Sequence, residues 1–230
     1  MSKALPNHVA FIVDGNRRWA REQQMVFFDA YKVAGAILVD NVCSAAAWDI
    51  RNVTAFLFST ENWKRDQNEI EAVMTAFTEI LYEHTDTFIR CGVRVHAIGV
   101  LHQLPVAVQD ALAHTRAATR NCTKTNFVLA FNYGGRWDIL NAVRCFLQNE
   151  DAQSRLVTEE RFSTYLSTAP FGDPDLLIRT GDQRRVSNFL MWQLAYTELY
   201  FSDLMWPDFS PEHFKHALHD YARRQRRHGS

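Results

Sequence analysis

A chain of 230 residues, 47% apolar and 22% charged, is long enough for one well-buried core and short for two, and this composition excludes a disordered or fibrous protein. A formal charge of -1 at pH 7 argues against a general nucleic-acid binder, so no nucleic-acid partner is expected. No apolar run approaches the roughly 20 residues of a membrane span, so no transmembrane segment is expected either.

In chain order, residues 1–7 are polar and lack an apolar signal core. Short apolar runs then alternate with longer amphipathic ones. Residues 8–13, 53–58, 93–99, 127–132 and 176–179 read as buried strands, rich in β-branched and aromatic residues, with 199–201 a candidate sixth. The clearest helix covers 66–91, with Ile70, Val73, Met74, Phe77, Ile80, Leu81 and Phe88 on one stripe. Asp66 and Glu69 suggest a capping box at its start, and Gly92 a stop. Strand–helix alternation along the whole length predicts a single α/β domain with a central, mostly parallel six-stranded sheet flanked by helices. Functional groups then belong beyond the carboxyl ends of the strands. Cys43, Cys91, Cys122 and Cys145 are widely spaced with no CxxC pair, and read as buried free thiols of a cytoplasmic protein. The 16 Phe, seven Tyr and six Trp suit a bulky core or a greasy cavity. The arginine-rich stretch 223–228 reads as a solvated helix end that could help hold a diphosphate.

Three segments carry chemistry. In His8-Val-Ala-Phe-Ile-Val-Asp14-Gly-Asn-Arg-Arg-Trp-Ala20 a strand stops at Asp14, Gly15 permits a tight turn, and a helix begins near Asn16. Helix-start N–H groups with Arg17 and Arg18 suit a polyphosphate, and Asp14 suits a magnesium ion bridging phosphate oxygens. The plainer alternative has Asp14 capping the helix and the arginines solvated. In Phe58-Ser-Thr-Glu-Asn-Trp-Lys-Arg65 another strand runs into polar residues, where Ser59, Asn62 and Arg65 either address a substrate or cap the turn. In the stretch from Asp175 to Phe189, Arg179 closes a strand, Arg184 and Arg185 follow a glycine-bearing loop, and Ser187 is expected to open a helix. Guanidinium groups and a hydroxyl there make a second anion site. Two anion sites, one acidic metal ligand and many large apolar residues suggest two diphosphates with hydrocarbon tails.

These segments, with Phe131-Asn-Tyr-Gly-Gly-Arg-Trp-Asp138, resemble in order and approximate spacing the signature motifs of cis-prenyltransferases, the family of undecaprenyl diphosphate synthase. The resemblance runs from about His8 to Gly229. It implies a homodimer, a hydrophobic substrate tunnel beside the sheet, Mg2+ as cofactor and isoprenoid diphosphates as substrates. By motif, Asp14 would hold magnesium and take part in catalysis. Gly15, Asn16, Arg17, Arg18 and Arg65 would bind the allylic diphosphate, with Trp19 of the same motif among the substrate-binding residues. Arg179, Arg185 and Ser187 would bind isopentenyl diphosphate. Ser59, Asn62 and Trp63 would line the reacting centre, with Asn62 in a catalytic role, and Glu198 would support the metal or the neighbouring subunit's site.

Several positions depart from the family pattern. Where an Arg and then a Gly-His pair are usual, this chain has Phe27, Ala30 and Tyr31. Losing one charge-assisted contact costs roughly 1.5 to 3 kcal/mol of diphosphate binding, so the allylic site is weakened or reshaped. Asp182, Gln183 and Arg184 stand where Gly, Glu and His are common. One reading is drift, with Lys32 or Arg21 compensating. Another is altered chemistry, because members that couple prenyl units head-to-middle, or cyclise them, resemble this chain in having an acid and a tyrosine here, Asp29 and Tyr31. Leu57 stands where the family often has a small tunnel-facing residue; in a close-packed wall it implies a short product of about ten to fifteen carbons. The expected activity is condensation of an allylic diphosphate with isopentenyl diphosphate. The alternatives are irregular coupling or cyclisation without isopentenyl diphosphate, and a non-catalytic partner subunit.

Overall fold

A computed structural model describes residues 5–149 and 156–224. Six strands, β1 (His8–Ile12), β2 (Asn52–Ser59), β3 (Val93–Ile98), β4 (Thr125–Tyr133), β5 (Leu176–Arg179) and β6 (Glu198–Phe201), form one sheet in the order β3-β4-β2-β1-β5-β6. Every pairing is parallel, and β1, the continuous apolar run before Asp14, is buried throughout. A strand covered on both faces has no polar side to alternate, which is why it reads as unbroken hydrophobic sequence.

Helices α1 (Asn16–Glu22), α2 (Phe27–Ala47), α3 (Gln67–Cys91), α4 (Val106–Ala118), α5 (Gly135–Asn149), α6 (Glu159–Ser163) and α7 (Pro211–Arg223) fill the crossovers. Apolar residues of α2, α3, α4 and α7 pack against one sheet face together with Phe11, Phe58, Phe127 and Phe131. The other face carries a smaller cluster in which Phe56 stacks on Phe189 with ring centroids 4.5 Å apart. Asp66 caps α3 by accepting from Asn68 N at 2.9 Å, and Gly92 ends it at φ 73°. The expected reciprocal bond from Glu69 is absent, because Glu69 is buried and turned towards α1 and α2.

The β2–β4 ladder is offset twice. Phe56 faces Ala130 and Phe58 faces Phe131, which leaves Leu57 as an extra residue; Ser59 then faces Tyr133, which leaves Asn132 as an extra residue on β4. Asn132 takes the left-handed conformation, φ 50°, and donates to Val100 O at 3.0 Å. The two bulges cancel, so the strands leave the sheet in phase.

Two expectations are corrected. Cys43 on α2 and Cys91 at the end of α3 are joined in a disulfide, and only Cys122 and Cys145 are free. The helices that carry the pair lie side by side, a nearness that a sequence separation of 48 conceals, and the thiol argument for a reducing compartment loses its support. Ser187 also opens no helix: Ser187, Asn188 and Leu190 all have positive φ, and 182–197 run as irregular backbone with bends and turns. Of the basic stretch 223–228, Arg223 and Arg224 are described and 225–228 lie outside the described residues. No helix among the described residues is long and apolar enough to cross a membrane.

Candidate active site

The carboxyl ends of β1, β2 and β5 converge, with β1 in the middle. Chain connections leave β1 towards β2 on one side while β5 lies on the other, the arrangement that opens a crevice in a parallel sheet. Asp14 follows β1 directly. Thr180, after β5, accepts from Asp14 N at 3.1 Å and donates to Asp14 O at 2.8 Å, which ties the two strand ends together. Gly15 sits at φ 106°, and a Cβ there would come within 2.9 Å of Met205, so only glycine permits this turn into α1. No side chain caps α1, and Asp14 Oδ1 accepts only the neighbouring Gly15 N at 2.8 Å, so the capping alternative for Asp14 does not hold.

A cavity of about 500 Å³ opens at this point. Arg17, Arg18, Arg21, Arg65, Arg179 and Arg185 line it, and Asp14 is the one carboxylate among its lining residues. Arg179 is buried: Nη2 donates to Asp14 Oδ2 at 2.7 Å, and Nη1 to Ser187 Oγ at 2.8 Å and to Arg185 O. Arg18 donates to Gly181 O. Gly15, Asn16, Ser59, Asn62 and Ser187 are also in the wall. Ser59 and Asn62 make a reciprocal capping box as well, with Ser59 N donating to Asn62 Oδ1 at 3.0 Å, so the turn-capping reading holds for residues that also face the cavity.

Beneath this mouth lies a narrow apolar cavity of about 80 Å³ between α2, α3 and the sheet. Val13, Asn16, Tyr31, Leu57 and Val73 line both spaces. Leu57 therefore faces the cavities and not merely a packed helix.

Other expected site residues are placed elsewhere. Phe27 and Trp19 line neither cavity; Trp19 Nε1 donates to Asp208 at 2.9 Å. Trp63 also stands outside the wall, edge-on to Phe58 and donating to Asn132 Oδ1 at 2.8 Å. Glu198 lies at the amino end of β6 beside Leu176, whereas Arg179 pairs with Phe201 at the other end, about 10 Å along the strand. It is paired with Arg224 at 2.8 Å and is not brought to Asp14 within this chain. Asp138 lies in the core, accepting from Ser167, Tyr133 and Gln193, so the fourth motif builds structure here. Of the two proposed compensating residues, Arg21 reaches the cavity and Lys32 is committed to Glu79 and Glu83.

The sequence reading missed the role of Glu69. This buried carboxylate lies 3.1 Å from Arg17 Nε and accepts from Arg65 Nη1 at 2.8 Å and Tyr31 Oη at 3.1 Å. Burial, and then the charge of Glu69, push the Tyr31 phenol above its ordinary range, so it stays a neutral donor. The Glu69–Arg65 spacing of four residues was a readable signal.

Among the described residues no three His, Cys, Asp or Glu side chains gather as a metal cluster. The donors that are present are hard oxygens: the Asp14 carboxylate and Asn16 Oδ1, which is buried without a hydrogen-bond partner. Arg179 Nε is likewise buried and unpartnered. An unmet acceptor and an unmet donor beside one carboxylate fit a divalent cation carried in by a diphosphate.

Residues 12–229 match the undecaprenyl diphosphate synthase family. The chain is 41% identical to an isoprenyl transferase of Aquifex pyrophilus, covering 100% of this chain and 98% of that protein. It is 40% identical to the chloroplastic (2Z,6Z)-farnesyl diphosphate synthase CPT6 of Solanum lycopersicum, covering 99% of this chain and 80% of that protein. The structure of lavandulyl diphosphate synthase from Lavandula x intermedia, in complex with dimethylallyl diphosphate, superposes with a TM-score of 0.93 at 29% identity, covering 98% of this chain and 99% of that one. Four motifs, one parallel sheet and an arginine-lined crevice at Asp14 lead to the same place as these likenesses: the chain belongs to the cis-prenyltransferase family of undecaprenyl diphosphate synthase and is a prenyltransferase.

Proposed function

We propose that this enzyme condenses an allylic diphosphate with isopentenyl diphosphate, in a magnesium-dependent reaction, to give a short cis-prenyl diphosphate of about ten to fifteen carbons. The observation that carries the reading is the pairing of Asp14 with Arg179 in an arginine-lined cavity that shares wall residues with a small apolar one. Arg17, Arg18, Arg65 and Arg21 bind and orient the allylic diphosphate. Arg179, Arg185 and Ser187 hold the isopentenyl diphosphate on the opposite wall. Asp14 and the Asn16 oxygen would hold magnesium, which when bound supplies positive charge to the departing pyrophosphate. The guanidiniums share that task by facing the oxygens where negative charge grows, and by fixing the two substrates they convert an encounter into a positioned pair. Leu57, Tyr31 and Val73 admit the hydrocarbon tail and keep water from the allylic cation.

The same reading makes the protein a homodimer. β6 is the outer strand of the sheet, Leu199 on it and Tyr196 just before it are exposed, and Glu198 would approach a metal only across a subunit boundary.

A second reading, head-to-middle coupling or cyclisation without isopentenyl diphosphate, is favoured by the close superposition on lavandulyl diphosphate synthase and by the phenol of Tyr31 in the cavity wall. Incubation with magnesium, labelled isopentenyl diphosphate and a series of allylic primers separates the two. Extended labelled products support the first. Products formed equally well with isopentenyl diphosphate omitted support the second, and no turnover with any primer rejects both.

A further inference from the structure

Gly35 on α2 and Ile80 on α3 face each other in the wall of the apolar cavity. The contact is close enough that a Cβ on Gly35 would lie 2.2 Å from Ile80 Cδ1 and 2.8 Å from its Cγ1. The isoleucine therefore fills the hollow that glycine leaves, and no other residue type at 35 tolerates it there. Ile80 is seven residues beyond Val73, the α3 residue shared by both cavities, which places it about 10 Å below the mouth. Each prenyl unit adds four carbon–carbon bonds to the chain, about 5 Å along an extended tail. About two units thus fit between the mouth and Ile80.

A side chain in a passage limits what passes only if the walls cannot part. Here α2 and α3 are tied on both sides of the contact. Lys32, one turn before Gly35, bridges to Glu79 and Glu83, which flank Ile80. Towards the far end the Cys43–Cys91 disulfide joins the same two helices covalently. The ion pairs are partly exposed and weak, and the covalent bond is the stronger restraint.

We propose that Ile80, seated on Gly35, sets the longest prenyl tail this enzyme accepts, with the ties between α2 and α3 holding that limit in place. The inference rests on the prenyl-diphosphate reading of the site and names the residue that selects among its substrates. It gives opposite effects for two substitutions. Ile80→Ala widens the passage towards Phe88 and Phe127, which line the cavity further along. Gly35→Ala drives the isoleucine off its seat into a space of only about 80 Å³.

The experiment compares parent, Ile80→Ala and Gly35→Ala in two measurements: product length by mass spectrometry, and thermal shift with geranyl, farnesyl and geranylgeranyl diphosphates. Ile80→Ala is expected to lengthen the main product by at least one five-carbon unit and to tighten binding of the longest diphosphate about tenfold. Gly35→Ala is expected to shorten the product or lose its longest component, and Ala at both positions to restore elongation. If Ile80→Ala does not fold, Ile80→Val reads the same trend at smaller amplitude. A folded Ile80 variant with unchanged product length and unchanged tail preference overturns the proposal. A parent that neither extends nor binds any prenyl diphosphate sinks the functional reading itself, a different and recognisable outcome.

Discussion

Arg179 Nη2 donates to Asp14 Oδ2 at 2.7 Å, from the end of one strand to the residue just beyond the end of its neighbour. Arg179 is only 3% exposed, so this carboxylate is its main source of compensating charge. The pair holds the carboxylate proposed to bind the metal and a guanidinium proposed to bind phosphate in a fixed relation before any substrate arrives.

Asp14→Ala should therefore abolish turnover, lowering kcat/KM by at least about a hundredfold, while the chain still folds. Leaving Arg179 buried and unpaired costs about 1–2 kcal/mol, moderated because the Asp14 side chain is 35% exposed. Steady-state kinetics and a urea transition check both. A rate within a few-fold of the parent would contradict the assignment.

Glu69→Gln removes the charge that binds Arg17 and Arg65 together with Tyr31. Both arginines are partly exposed, so the stability loss should be about 1–2 kcal/mol. The kinetic effect is expected on one substrate: KM for the allylic diphosphate rises several-fold while that for isopentenyl diphosphate is unchanged. An equal change in both would show that Glu69 acts only on the fold.

His8 bonds to Gly172 O at 3.0 Å and Thr54 Oγ1 at 2.8 Å, and burial pushes its pKa down to about 4. The unfolded chain takes up a proton near pH 6.5, the folded chain only near 4, so stability is complete above pH 6.5 and declines as the pH falls from there to about 4. The loss across that window is about 3 kcal/mol. Urea midpoints of the parent between pH 4.5 and 7 should slope accordingly, and His8→Gln should flatten the slope. Parallel profiles would refute the assignment.

The disulfide gives a chemical count. Thiol titration of freshly purified, unfolded protein should find two thiols without reductant, Cys122 and Cys145, and four after reduction. Closing a loop across 48 residues contributes about 2–4 kcal/mol, so reductant should lower the urea midpoint. Four thiols before reduction would exclude the bond.

Much of this molecule was legible in its sequence, for reasons that differ by element. The strands were readable because a parallel sheet covered on both faces demands unbroken apolar runs, as in β1. Asp14 and Arg179 were readable because strand-end polar residues in this architecture face the crevice, and Arg185 because it follows a strand end by a short glycine-bearing loop. Glu69 looked like a capping residue because its partners Arg17 and Tyr31 lie on other elements. The helix expected after Ser187 failed because Phe189 and Leu190 are buried through a left-handed turn instead of a helical stripe. Phe27, placed by counting along a motif, falls outside the cavity wall although Tyr31, one turn later, lies within it.

The paired offsets at Leu57 and Asn132 separate two demands that sheets usually join. A wall residue that belongs to no ladder rung can change size without disturbing its neighbours' hydrogen bonds, and the second offset returns the strand to step before Ser59. In descendants of this chain the width of the pocket where the two cavities meet is thus free to drift while the polar groups above it stay aligned.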